Sequence, residues 1–288
     1  MEDYVICMDA SGDLVREVAA EKNIEFVPME YSLGDEMRTS KGCEEDELLK
    51  RFYDGQRNGD MTRTSQISPF MYEEYFEKFM EAGKSVLCFC LSSGLSATYE
   101  SCQLAAKNLK ERYPSLDVFP VDTLAATGGI GILAESALKN REEGLSIQEN
   151  FHAVKALVPN LRHFFMVQDL MYLKRGGRVS AATAIVGSAL NIKPILKIDE
   201  NGKLVTIDKK RGNKSAMLAL FTYFKENYNP QLGRTIYICD GDTPELAEDL
   251  AAKVKEEAPD AVVRRTMLSP IIGAHTGPGM LSMILIGK

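Results

Sequence analysis

Short apolar runs that end in polar turns alternate with helical patterns through the first half of this chain, and that alternation limits the fold more than any other feature. Val5 to Asp9 reads as a strand followed by a helix from about Leu14. Ile24 to Met29 reads as a second strand, and after a polar stretch a helix falls near Glu45 to Phe52. Pro69 to Ala82 has proline near its start, Phe76, Phe79 and Met80 at i, i+3 and i+4, and Gly83 at its end. Ser85 to Leu91 is then a buried strand, and the next helix is expected to begin in the turn at Ser92. Asp117 to Val121 is a further strand, Gly129 to Lys139 a helix, and Ser146-Ile-Gln-Glu149 a capping box for a helix ending before Pro159. Such an order belongs to a parallel sheet with helices on both faces.

Beyond about residue 160 the pattern changes. Ile192 to Ile198 and Lys203 to Ile207 are joined by Glu200-Asn201-Gly202, and Asn-Gly is a strong tight-hairpin signal. Thr235 to Cys239 and Ala261 to Thr266 flank a helix with Leu246, Leu250 and Val254 on one stripe. The fold class is therefore expected to be α/β in two parts: residues 1–160 as an α/β/α three-layer domain with a mainly parallel sheet, and residues 161–288 as an α+β domain with a mainly antiparallel sheet.

At 288 residues and 45% hydrophobic content the chain can bury a large core. A formal charge of −7 argues against nucleic acid or an anionic membrane as partner, and Lys209-Lys210-Arg211 is too short to overturn that. Met1-Glu2-Asp3 leads directly into an apolar strand with no basic leader, and no apolar run is long enough for an integral membrane segment, so a cytoplasmic location is expected. Cys7, Cys43, Cys88, Cys90, Cys102 and Cys239 mostly sit inside apolar patterns and read as buried thiols. Cys88 and Cys90 face the same way in a strand, but no second Cys/His cluster completes a zinc site, and no metal is expected.

The chemistry gathers in polar turns after strands, where open α/β sheets place ligands. Thr62-Arg-Thr-Ser-Gln-Ile-Ser68 and Leu91-Ser-Ser-Gly-Leu-Ser-Ala-Thr98 offer hydroxyls and helix-start amides suited to a carboxylate or phosphate, with plain N-capping as the alternative. Gly129-x-Gly131-x-x-Ala134 imitates a dinucleotide fingerprint, but it does not open the first βα unit and a helix follows it, so it reads as a decoy. No Walker-type loop is present, and the chain is not expected to bind ATP by a P-loop. Asp169 to Ser180 reads as a short helix ending in Gly176-Gly177, with Arg175 able to meet an anion or to serve as an ordinary surface residue. Leu190 to Leu196 reads first as core. Ile272-Gly-Ala-His-Thr-Gly-Pro-Gly279 mounts His275, one of three histidines, between glycines ahead of the closing apolar run Met280 to Ile286.

Five of these segments, in this order, resemble the DegV proteins: Thr64-Ser-Gln-Ile-Ser68, Leu91-Ser-Ser-Gly-Leu-Ser-Ala-Thr-Tyr99, Tyr172-Leu-Lys-Arg-Gly-Gly-Arg178, Leu190-Asn-Ile-Lys-Pro194 and His275-Thr-Gly-Pro-Gly279. The resemblance spans nearly the whole chain. It implies a protein without enzymatic activity or cofactor that binds a long-chain fatty acid between its domains, the first housing the acyl chain and the second closing over the carboxylate. It also implies presentation of that lipid to an ATP-binding fatty acid kinase subunit, which makes acyl phosphate. Carried onto matching positions, it assigns carboxylate contacts to Thr64, Ser65, Ser93, Ser96, His275 and Thr276, and phosphotransfer or partner docking to Arg175 and Arg211. Ala10, Gly12 and Ala97 depart from the common pattern, and residues 31–45 match it poorly.

Burial of about fifteen methylenes at about 0.8 kcal/mol each would offer roughly 12 kcal/mol before ordering costs, enough to retain a lipid. One rival is a carrier or sensor with the same binding residues and no phosphotransfer. The other is a serine hydrolase using Ser96 and His275, with Asp240 as an orienter. That reading is weakened by Thr98, which stands where a nucleophile elbow wants glycine.

Overall fold

Four strands, β1 (Val5–Asp9), β2 (Glu25–Val27), β6 (Val86–Cys90) and β7 (Val118–Asp122), form a parallel sheet in the order β2-β1-β6-β7. The structure is a computed structural model and describes residues 3–168, 170–179 and 191–288. Every residue of β6 is buried, as an unbroken Val-Leu-Cys-Phe-Cys run between two helical layers requires. Helices α3 (Pro69–Glu81) and α4 (Thr98–Arg112) cover one face, and α5 (Gly128–Glu142) and α6 (Ile147–Leu157) cover the other. Ser146 and Glu149 form the expected capping box.

The second large sheet has six strands in the order β10-β9-β8-β13-β11-β12. These are β8 (Leu161–Met166), β9 (Ile192–Ile198), β10 (Leu204–Arg211), β11 (Thr235–Asp240), β12 (Val262–Met267) and β13 (Leu281–Ile286). Neighbours pair antiparallel except β11 and β12, so the sheet is mainly antiparallel as expected. Helices α8 (Asn213–Asn227) and α9 (Pro244–Glu257) cover its outer face over a core that includes Ala216, Leu220, Phe224, Leu250 and Val254. Its inner face packs on α5, so the layers run helix, sheet, helix, sheet, helix. One continuous core joins Ile6 and Phe89 of the first sheet to Phe165, Tyr237 and Ile284 of the second.

The glycines of the dinucleotide-like motif explain that seam. A Cβ on Gly128 would lie 2.5 Å from the Tyr237 Cβ, one on Gly129 would overlap the His163 ring, and one on Gly131 would overlap the Asp13 carbonyl. They are spacing residues for helix-on-sheet packing.

Residues 31–45, which match the family pattern poorly, hold a feature absent from the sequence reading. β3 (Met29–Leu33) and β4 (Glu36–Ser40) form a hairpin turning at Gly34, whose φ is 58°, and β5 (Thr62–Thr64) adds to β3. The expected strand Ile24 to Met29 is thus split between β2 and β3. Helix α1 (Arg16–Lys22) starts slightly later than expected, and α2 (Asp46–Arg57) runs past Phe52.

The helix expected from Ser92 begins only at Thr98. Residues 92–97 remain a turn because the Asn201-Gly202 hairpin seats on them. Ser92 Oγ donates to the Gly202 carbonyl at 2.8 Å, and a Cβ on Gly94 would lie 2.5 Å from both the Asn201 and Gly202 oxygens. In the basic segment, α7 (Met171–Arg175) is the expected short helix. Asp169, Ser180 and Leu190, named in the sequence reading, lie outside the described residues.

Candidate functional site

Where the turns of the first half meet the inner face of the second sheet there is a cavity of about 260 Å³. Met29, Leu91, Leu95, Phe165, Ile271 and Met280 are among its apolar walls, and Thr64, Ser65, Ser96, Arg178, His275 and Thr276 also line it. Apolar side chains come from both halves of the chain, so the lining is not confined to residues 1–160.

His275 is carried by α10 (Pro270–Thr276), which Gly277 ends at a φ of 74°. The helix is fixed against α2 and the small sheet: Gln56 Nε2 of α2 donates to the Gly273 carbonyl at 3.0 Å, and the Thr62 hydroxyl of β5 donates to the Ala274 carbonyl at 3.2 Å. These bonds bring His275 Nε2 to 2.8 Å from Thr64 Oγ1. Its Nδ1 side packs on Gly176, where a Cβ would overlap the ring. Burial, and secondarily the nearby Arg178 charge, pushes the His275 imidazole down to about 4, so it is neutral near pH 7. The Thr276 hydroxyl donates to the Ile272 carbonyl at 3.1 Å.

Ser96 and Ser93, assigned the same role, go to different places. The Ser96 hydroxyl lies 2.8 Å from that of Thr98 and accepts the Thr98 amide at 3.3 Å, at the cavity wall. The Ser93 hydroxyl donates to Asp122 at 2.5 Å, and Ser93 is not among the lining residues.

The cation in the cavity is Arg178, which the sequence reading quoted within its motif and gave no role. Its Nε donates to the Leu95 carbonyl at 3.0 Å, tying the Gly-Gly turn to the serine turn, and burial lowers its pKa. Arg175 is exposed, its guanidinium 4.4 Å from the centre of the Tyr172 ring, and lines an outer recess with Arg63 that shares Thr64, Arg178 and His275 with the cavity. Arg211 is exposed at the end of β10. Neither lines the cavity. The spacing Arg-Gly-Gly-Arg shows two arginines at a turn, and only the turn's path decides which one points inward.

His163 was also missed. It is buried in β8 at the cavity wall, and burial alone pushes its pKa down to about 3.

Among the described residues no hydrogen bond joins Ser96 to His275. Each bonds to a threonine, the second imidazole nitrogen faces Gly176, and Asp240 lies in a different pocket with its carboxylate accepting the Thr243 amide at 2.7 Å. Cys102 from α4 joins Cys88 and Cys90, bringing three sulfurs within 4.8 Å. All three are buried, and burial pushes Cys88 up to about 12, which favours neutral thiols.

Two helix-flanked sheets enclosing an apolar cavity, with an arginine, a neutral histidine and hydroxyls on its wall, define a ligand-binding α/β protein. The chain belongs to the DegV family: the sequence model of that family, described as uncharacterised, matches residues 4–288. A DegV domain-containing protein of Clostridium perfringens is 34% identical over 287 residues, covering 100% of this chain and 98% of the relative. A DegV family protein from Thermus thermophilus, whose structure is described by its fatty acid binding, superposes with a TM-score of 0.85 at 26% identity, covering 100% of both chains. The fatty acid kinase B3 protein of Streptococcus pneumoniae, solved with linoleic acid, has the same fold, with a TM-score of 0.84 at 22% identity and 100% coverage of both. Among the described residues no helix is long and apolar enough to cross a membrane.

Proposed function

We propose that this protein binds a long-chain fatty acid in the cavity, its carboxylate held by Thr64, Ser65, Ser96, His275 and Arg178. The observation that carries the reading is the 2.8 Å pairing of Thr64 with His275 beside Arg178, on the wall of a cavity otherwise lined largely by apolar side chains. A buried carboxylate needs charge-assisted hydrogen bonds to stay ionised, and a guanidinium with hydroxyls and an imidazole supplies them. The fatty acids described for the Thermus thermophilus and Streptococcus pneumoniae proteins support the same ligand class.

In this reading the chain is the lipid-binding subunit of a two-component fatty acid kinase, and a partner brings ATP. It needs no cofactor of its own. Arg175, in the recess outside His275, and Arg211 are assigned to phosphotransfer or partner docking. The fatty acid is tested by mass spectrometry of the purified protein under native and denaturing conditions, with one fatty acid per chain expected. Protein that neither carries nor takes up fatty acid would refute the reading. Incubation with fatty acid kinase ATPase subunits, ATP and lipid tests the second half: acyl phosphate is expected, and its absence with every competent partner would leave a carrier.

A further inference from the structure

The recess outside His275 has a volume of about 430 Å³ and shares Thr64, Arg178 and His275 with the cavity. Those three residues form a common wall between the two spaces. Arg63 and Arg175 also line the recess, and no carboxylate is among its lining residues.

That charge distribution stands against the rest of the chain. Its 41 Asp and Glu outnumber its 34 Lys and Arg, and Arg16, Arg57, Arg112, Arg264 and Arg265 all pair with carboxylates. Among the described residues Arg63 makes no hydrogen bond or ion pair, and the one group to which Arg175 donates is the Met61 sulfur, at 3.2 Å. Arg175 is nonetheless held in place. Its guanidinium lies 4.4 Å from the centre of the Tyr172 ring, and that ring sits against Gly277, where a Cβ would lie 2.5 Å from it. The Tyr172 hydroxyl donates to the Gln56 carbonyl at 3.4 Å. A guanidinium resting on a fixed ring loses less freedom on binding than one on a free side chain.

For a carboxylate on the common wall, Arg178 is already a sufficient cation. Two further guanidiniums without anionic partners suit a head with more charge. A phosphoryl group brings about two negative charges and three acceptor oxygens, which guanidinium forks match in geometry.

We propose that the recess is a phosphoryl-binding subsite, which takes the phosphate head of a long-chain acyl or alkyl phosphate whose chain lies in the cavity. Arg63 and Arg175 are its dedicated ligands. The proposal rests on the fatty acid reading above and deepens it: a carboxylate on the common wall has the recess on its outer side, where a phosphoryl group joined to it would lie. Arg63 then serves the phosphorylated lipid and not the free acid.

The test titrates the delipidated full chain, with no partner present, by displacement of a fluorescent fatty acid. The ligands are stearate and octadecyl phosphate, a stable counterpart of stearoyl phosphate in which a methylene replaces the carbonyl. Octadecyl phosphate is expected to bind about tenfold more tightly than stearate, a difference of about 1.4 kcal/mol. In Arg63→Met and Arg175→Met that advantage should vanish while stearate affinity holds. Both side chains are exposed, so their replacement leaves the core intact. Inorganic phosphate separates two sources of the phosphoryl group. If it competes with neither ligand, the subsite takes the group only when a lipid carries it; if it competes with octadecyl phosphate and not with stearate, the subsite takes the free ion as well. Both outcomes support the site. If octadecyl phosphate binds no more tightly than stearate, or if its advantage survives both substitutions, the subsite is refuted. Binding of neither lipid would instead overturn the fatty acid reading itself.

Discussion

Thr64 and His275, 211 positions apart in sequence, meet at 2.8 Å between Oγ1 and Nε2. Each residue therefore holds the other in place before any ligand arrives, and the two are expected to act as a unit.

Removing either should lower fatty acid affinity about tenfold to a hundredfold, the range for a hydrogen bond to a charged group. Thr64→Ala with His275→Ala should cost less than the sum of the two single changes. Displacement titrations on both variants and the double variant check this, with near-ultraviolet circular dichroism reporting retained packing. Unfolding by His275→Ala would give the histidine a structural role instead.

Arg178 and Arg175 should separate cleanly. Arg178→Met should weaken fatty acid binding by about tenfold to a hundredfold and lower the melting temperature, because the guanidinium also ties Leu95 to the Gly-Gly turn. Arg175→Met should leave binding within about twofold while reducing acyl phosphate formation with a kinase partner. Stearate titration and a coupled phosphotransfer assay read the two effects, and the reverse pattern would exchange the roles.

Gly94→Ala should destabilise the protein by about 1–3 kcal/mol through overpacking. The added methyl meets backbone oxygens of Asn201 and Gly202 at 2.5 Å, and backbone cannot swing aside as a side chain can. Urea denaturation measures this, and an unchanged midpoint would mean that the hairpin does not bear on the serine turn.

Asp9 gives a pH dependence. It is fully buried and accepts the amides of Ser11 at 3.0 Å and Leu91 at 2.6 Å, yet burial, with a smaller effect from Cys90, pushes its pKa from 3.8 up to about 7. Between those values the folded chain holds a proton that the unfolded chain has lost, so Asp9's contribution to stability falls as pH rises through that window and levels above it. Asp9→Asn has no such proton to lose. Relative to the unaltered protein it should gain stability from pH 5 to pH 7 and then plateau, with roughly 4 kcal/mol as the ceiling. Urea midpoints of both proteins at pH 5, 6, 7 and 8 check it. A difference that does not vary with pH would mean that the carboxyl is not shifted.

Most of the fold was legible because its strands are continuous apolar runs and its helices are capped or striped. Val86–Cys90 and the Ser146 capping box are examples. The hairpin of β3 and β4 escaped because Glu36–Ser40 is mostly exposed and polar and has no apolar face to announce it. Gly34-Asp35 between the two strands was the available signal. At the candidate site, Thr64 was readable as a hydroxyl in a polar segment before a helix, and Ser96 and His275 as a hydroxyl and a histidine in glycine-marked turns. Ser93 and Arg178 were not, since the choice between Ser93 and Ser96, or between Arg175 and Arg178, is made by which way a turn faces. His163 was hidden by its setting in a strand that reads as plain core.

The bare face of α5 limits how this molecule can open. Gly128, Gly129 and Gly131 bring the helix so close to Tyr237, His163 and the Asp13 carbonyl that the two sheets are in effect joined along one edge. Parting the sheets there would break the shared core. On the fatty acid reading proposed above, exchange would take place where Thr64, Arg178 and His275 meet across separate chain segments. The residues proposed to grip the head group would then also be the latch of the door.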